Sequence, residues 1–188
     1  MILPIVAYGT PVLKQKAQEI SNNYPHLDQL IDDMFETMYD ANGVGLAAPQ
    51  IGRSIRLFVV DGSPFSDDEP DMAEFCKVFI NPEILSEEGP EWDFNEGCLS
   101  IPSVREDVRR KPNILIRYQD EEFNIVEEKY DGIKGRIIQH EFDHLEGILF
   151  TDYLSPLKKR LLKRKLTDIS KGNVKVDYRM KFPLHKGR

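Results

Sequence analysis

IKGRIIQHEFDHL, Ile133 to Leu145, decides how the rest of the chain is read. The stretch is predicted to be helical, and on a helix residues i and i+4 lie one turn apart on the same face. His140 and His144 then aim their imidazoles at one point, with Glu141 beside it and not forced to ligate. In that geometry two histidines hold a metal and the glutamate serves as base for a water on the metal. By residue frequencies HExxH arises in roughly one chain of this length in a hundred, and its ordinary alternative is a polar pair on a half-exposed helix. The motif therefore needs support from elsewhere in the chain.

A catalytic centre of this kind needs three protein ligands and an open position. The other two histidines, His26 and His185, fall in the first helix region and in a basic tail, without surroundings that suggest a site. Cys98 stands in NEGCLSIP, where Gly97 permits a tight turn and Leu99, Ile101 and Pro102 read as packed. A small buried hydrophobe is the usual alternative for a cysteine, and Cys76, at the mouth of a strand, fits that better.

Outward from this helix, Leu27, Leu30, Ile31, Met34, Phe35, Met38 and Tyr39 recur at three- and four-residue steps and predict an amphipathic helix ended by Asn42 and Gly43. IRLFVV from Ile55, KVFINPEIL from Lys77, NILIRYQ from Asn113 and FNIVEEKY from Phe123 predict strands. Turns rather than helices separate them, which predicts an α+β fold with mixed or antiparallel sheets around a central HExxH helix. Ser155 and Pro156 open a C-terminal helix whose buried side is predicted to be Leu157, Leu161, Leu162 and Leu166. Asp61 to Phe75, acidic and proline-punctuated, and the residues after Gly172 are predicted to be loosely held.

The 188 residues, 40% hydrophobic, suit one core, so a single domain over 1–188 with a basic tail from about 172 is expected. No basic start with an apolar run, and no membrane-length apolar segment, is present. Two cysteines are too few for a disulfide framework, and a reduced cytoplasm is the expected location. The net charge is −7, yet twelve Lys or Arg face two Asp from Pro156 onward. An acidic body excludes a general nucleic-acid binder, whereas the basic end suits a polyanionic surface.

GVGLAAPQIG from Gly43, EGCLS from Glu96 and QHEFDH from Gln139, in this order, resemble peptide deformylase over most of the chain. The resemblance implies hydrolysis of the formyl group from N-formylmethionyl peptides. It implies one divalent metal, natively Fe2+, held by Cys98, His140 and His144, although the ligand types alone admit Zn2+, Ni2+ or Co2+ equally. Glu141 is then the general base and acid, with the Gln50 side-chain amide and the Leu99 backbone N–H donating to the oxyanion. Gly43, Val44 and Gly45 would run alongside the peptide as an added strand, for which glycines allow close approach. Val44, Phe94, Ile133, Arg136 and Ile137 would surround the methionine side chain, Arg136 standing where some relatives carry an aliphatic residue. Arg105 would contact substrate backbone, and Glu96 with Arg110 would steady the site as an ion pair. The ribosome near the nascent-chain exit is the natural polyanionic partner for the basic C-terminal helix; no membrane and no sequence-specific nucleic acid is expected. The rival readings are a zinc endopeptidase of HExxH type and an inactive binding module acting through the tail.

Overall fold

The computed structural model describes residues 1–183, so His185 and the end of the expected basic tail lie outside the described residues. In chain order the elements are β1 (Ile5–Val6), α1 (Leu27–Asp40), β2 (Gly45–Ala47), β3 (Leu57–Asp61), β4 (Cys76–Glu88), β5 (Trp92–Cys98) and β6 (Ile101–Arg110). They continue with β7 (Asn113–Gln119), β8 (Ile125–Tyr130), α2 (Gly132–Leu145), α3 (Pro156–Ser170) and β9 (Met180–Lys181). The result is an α+β fold with antiparallel sheets and one short parallel pair.

A five-stranded antiparallel sheet runs in the order β2-β3-β4-β7-β8. Successive residues of a strand point to opposite faces, and β3 is buried on both. Leu57 and Val59, with Leu46 and Ile80, pack on Leu30, Ile31, Met34 and Met38 of α1. Phe58 and Val60, with Ala47 and Phe79, pack on Ile137, Ile138 and Leu145 of α2. A two-stranded antiparallel hairpin of β5 and β6 forms a third apolar cluster, in which Ile101, Val104 and Val108 meet Val6, Phe150, Leu166 and Ile169.

α1 stops where Asn42 and Gly43 were expected to end it. Asn42, at φ 53°, takes the left-handed position, while the Gly43 N–H bonds back to Met38 O at 2.9 Å and Asn42 N–H to Tyr39 O at 3.0 Å. These two bonds make a Schellman cap with asparagine in the left-handed position where glycine is commoner. It delivers the chain directly into β2, at the edge of the sheet.

Four expectations are corrected. The buried side of α3 is Leu162, Leu166 and Ile169; Leu157 and Leu161 are 67% and 72% exposed. Around the helix from Leu162, Leu161 lies about 100° away and Leu157 about 140°, both outside the narrow seam that meets the third cluster. The Asp61 to Phe75 segment contributes to the core, because Met72 and Phe75 are buried beside Val60 and Tyr118. The segment after Gly172 is likewise held down: β9 pairs in parallel with β1, and Val174, Met180 and Phe182 pack on the third cluster. Cys76 is exposed, not the small buried hydrophobe that was expected.

Candidate metal centre and active site

α2 presents His140 and His144 on one face, with ring centroids 5.1 Å apart. Cys98 reaches them from the tip of the hairpin. There the ladder slips between Gly97 and Cys98, so that Cys98 pairs with Ile101 across a turn made by Leu99 and Ser100. Its Sγ lies 3.4 Å from His144 Nε2. One donor atom from each of Cys98, His140 and His144 falls within 4.8 Å of the other two. A thiol and two imidazoles, brought this close by elements distant in sequence, form a donor set that fits a divalent transition metal with a vacant position.

Glu96 organises the polar side of this centre. Its carboxylate takes His140 Nδ1 at 2.9 Å, Arg110 through Nε at 2.7 Å and Nη2 at 3.1 Å, and Arg136 Nη1 at 3.1 Å. With Nδ1 engaged, His140 has only Nε2 left to face the donor cluster. Burial alone would raise the Glu96 carboxyl, but His140 and Arg110 outweigh it and hold the group well below the usual carboxylate range. Arg110 also bonds Asp143 at 2.7 Å, and Asp143 accepts from the Tyr153 hydroxyl at 2.8 Å. The ion pair expected between Glu96 and Arg110 is therefore part of a longer buried chain of charges.

Glu141 is 4% exposed, and its Oε2 has no hydrogen-bond partner among the described residues. Burial pushes its carboxyl up to about 7, against the opposing pull of His140. A buried polar atom without a partner at the wall of a cavity is poised for a ligand atom or water. Gln50 is fixed at both ends. Its Oε1 accepts the Ala47 N–H at 2.9 Å, which a side-chain amide nitrogen could not do. Its Nε2 therefore turns toward Cys98 Sγ at 3.4 Å and Ser100 Oγ at 3.3 Å. The ordinary role of a loop amide and a donor role at the centre coexist in one side chain.

A cavity of about 560 Å³ opens over these groups. Gly43, Val44, Gly45, Gln50, Phe94, Leu99, Arg105, Arg136, Ile137 and Glu141 all line it, as do Cys98 and His140. Ile133 does not; it packs half-buried in the cluster between α2 and the sheet. Arg136 lines the cavity while its guanidinium also bonds Val108 O at 2.9 Å and Trp92 O at 2.8 Å, its carbon Cζ 4.6 Å above the Trp92 ring. Arg105 bonds Asn95 through Nε and Nη2, both at 2.8 Å. Phe65 and the segment Lys175–Tyr178 supply further wall, both from regions whose sequence predicted loose loops. Asp143 and Tyr153 escaped the sequence reading altogether; an aspartate on the same buried helix as the two histidines was the available signal.

The family model described as polypeptide deformylase matches residues 2–160. A peptide deformylase of Christiangramia forsetii is 59% identical over 190 residues, covering 97% of each chain. The crystal structure of a peptide deformylase from Legionella pneumophila superposes with a TM-score of 0.80 at 39% identity, covering 92% of this chain and 98% of that one. A Plasmodium falciparum peptide deformylase gives a TM-score of 0.80 at 33% identity, covering 89% of this chain and 95% of that one. Deformylase sequence blocks, a thiol converging with two imidazoles, and likeness across almost the whole length agree, and the chain belongs to the polypeptide deformylase family.

Proposed function

We propose that this protein hydrolyses the formyl group from the N-terminal formylmethionine of new polypeptides, giving formate and a free methionine amine. The observation that carries the reading is the convergence of Cys98, His140 and His144 beside the buried, partnerless Glu141 Oε2. A divalent ion held by those three side chains supplies Lewis-acid polarisation of the formyl oxygen and lowers the pKa of a bound water. Fe2+ is the native ion on this reading, and the cysteine and histidine donors accept Zn2+, Ni2+ or Co2+ as well.

The remaining work falls to the chain. Glu141 takes the proton of the attacking water and passes it to the departing nitrogen as the formyl C–N bond breaks. Gln50 Nε2 and the Leu99 N–H face the oxygen on which negative charge develops, where one lost donor typically costs about 3–4 kcal/mol of barrier. The substrate backbone extends the sheet at β2 along Gly43–Gly45, an idea supported by the outer edge of that strand, which no strand among the described residues pairs. Val44, Phe94, Ile137 and the Arg136 stem take the methionine side chain, with Ile133 behind them, and Arg105 meets peptide backbone. α2 is then the central element of a single domain, placed between sheet and hairpin so that both contribute to one cavity.

We further propose a cytoplasmic setting and docking on the ribosome near the nascent-chain exit. Support comes from α3, where exposed Leu157 and Leu161 lie among Lys159, Arg160 and Lys163, a face that combines apolar contact with positive charge. Among the described residues, no helix is long and apolar enough to cross a membrane. The test of the reaction is a comparison of formyl-Met-Ala-Ser with acetyl-Met-Ala-Ser and with an internally cleavable, unformylated peptide. Formate release from the first alone supports the reading; cleavage of internal bonds alone returns the chain to the endopeptidase alternative.

A further inference from the structure

The turn that carries Leu99 is pinned from outside the hairpin. The Tyr178 hydroxyl donates to Leu99 O at 2.7 Å, and the Tyr8 N–H donates to Ser100 O at 2.8 Å. Tyr178 lies 79 residues away in sequence, outside the residues 2–160 matched by the family model. It is brought back because α3 ends at Ser170, Gly172 turns the chain at φ 78°, and β9 locks onto β1 through Ile5 N–H to Arg179 O and Ala7 N–H to Lys181 O, both 2.9 Å. Between those anchors the segment Lys175–Tyr178 forms one wall of the cavity. The Tyr178 ring packs half-buried on the α1 cluster.

We propose that Tyr178 is a positioning residue for deformylation, its hydroxyl holding the Leu99 carbonyl so that the Leu99 N–H stays aimed at the oxyanion. The proposal rests on the reading of Leu99 as an oxyanion donor. The physical reason is the peptide geometry: two planar amides meet at the Leu99 α-carbon, and only φ and ψ of that residue relate them. Fixing the carbonyl side of Leu99 restricts the orientation of the amide on its other side. Such a donor contributes to the transition state only if it needs no reorganisation when charge develops, and of the two carbonyls in the turn the one at Ser100 is held by Tyr8 N–H and the one at Leu99 by Tyr178. The carboxyl-terminal strap, in this account, is part of the active site and not an appendage.

Tyr178→Phe keeps the ring and removes the hydroxyl. On formyl-Met-Ala-Ser the expected outcome is a fall in kcat of about tenfold with KM within about twofold, as follows from losing an interaction made chiefly in the transition state. Bound metal and thermal midpoint should match the wild type, and the Leu99 amide resonance of zinc-loaded, 15N-labelled protein should move and exchange faster with solvent. An unchanged kcat overturns the proposal. So does a loss of kcat that tracks lost metal or a lowered midpoint while the Leu99 amide stays in place, because that pattern belongs to general support of the fold. Failure of the wild type itself to release formate would instead count against the deformylase reading.

Discussion

Gly45 and Glu141 meet without room for a methyl group: a β-carbon on residue 45 would stand 2.4 Å from Glu141 Oε1 and 2.7 Å from its Cδ. Gly45 sits on the edge strand and Glu141 on the helix beneath, so the glycine lets the carboxylate lie directly against the backbone that lines the cavity. Gly45→Ala must push the carboxylate aside, and a displacement of about 1 Å from productive geometry costs on the order of 100-fold in rate. Steady-state kinetics should show that loss in kcat while bound metal, measured by elemental analysis, is unchanged, since Cys98, His140 and His144, the proposed ligands, are not substituted.

Leu161 and Leu166 separate the exposed and buried sides of α3. Leu166 is 8% exposed and Leu161 72%. Leu166→Ala is expected to cost about 2–4 kcal/mol in urea unfolding, whereas Leu161→Ala should stay within about 0.5 kcal/mol. Equal losses would return both leucines to the buried side that the sequence suggested.

The same exposed face predicts the partner. Reversing Lys159, Arg160 and Lys163 to glutamate should weaken co-sedimentation with ribosomes at low and moderate salt and flatten its salt dependence, leaving formate release from a free tripeptide intact. Ribosome affinity unaltered at moderate salt would remove the docking idea.

Glu128 offers a test of electrostatics away from the centre. It pairs with Lys77 at 2.7 Å, accepts the Tyr118 hydroxyl at 2.7 Å and also accepts that of Tyr130. Burial would raise its carboxyl, but Lys77 and the two phenols outweigh it and lower the group. A lowered folded pKa stabilises the protein above the unfolded value of about 4.3, and this contribution fades as pH falls through the folded value. Glu128 is partly exposed, so solvent screening keeps the effect below about 1 kcal/mol. Glu128→Gln should therefore lower the urea midpoint at pH 7, and the gap to wild type should narrow below about pH 4.

Much of this was legible from local pattern. α1 and the runs now seen as β3, β4, β7 and β8 follow apolar periodicity, and the pairing of His140 with His144 follows from helical spacing alone. The hairpin of β5 and β6 was not legible, because its inward positions include Glu96 and Arg110, whose charges break the alternation a strand is recognised by. Those two charges are tolerated inside because they bond each other and, beyond that, His140, Arg136 and Asp143, a fact of tertiary structure that no window of sequence contains. Tyr178 was illegible for the same reason: its partner is a backbone carbonyl 79 residues away. The helix end at Asn42 and Gly43 was legible, although glycine is the commoner left-handed residue and here Asn42 takes that role.

The most direct test of the account is formate release from formyl-Met-Ala-Ser by anaerobically prepared protein, with bound metal determined on the same samples. Wild type should hold one divalent ion per chain and release formate. Glu141→Ala should keep the ion and lose about 10²- to 10⁴-fold in turnover, and Cys98→Ala should lose much of the ion itself. Full turnover in Glu141→Ala, or full metal content in Cys98→Ala, would contradict the roles assigned to those side chains.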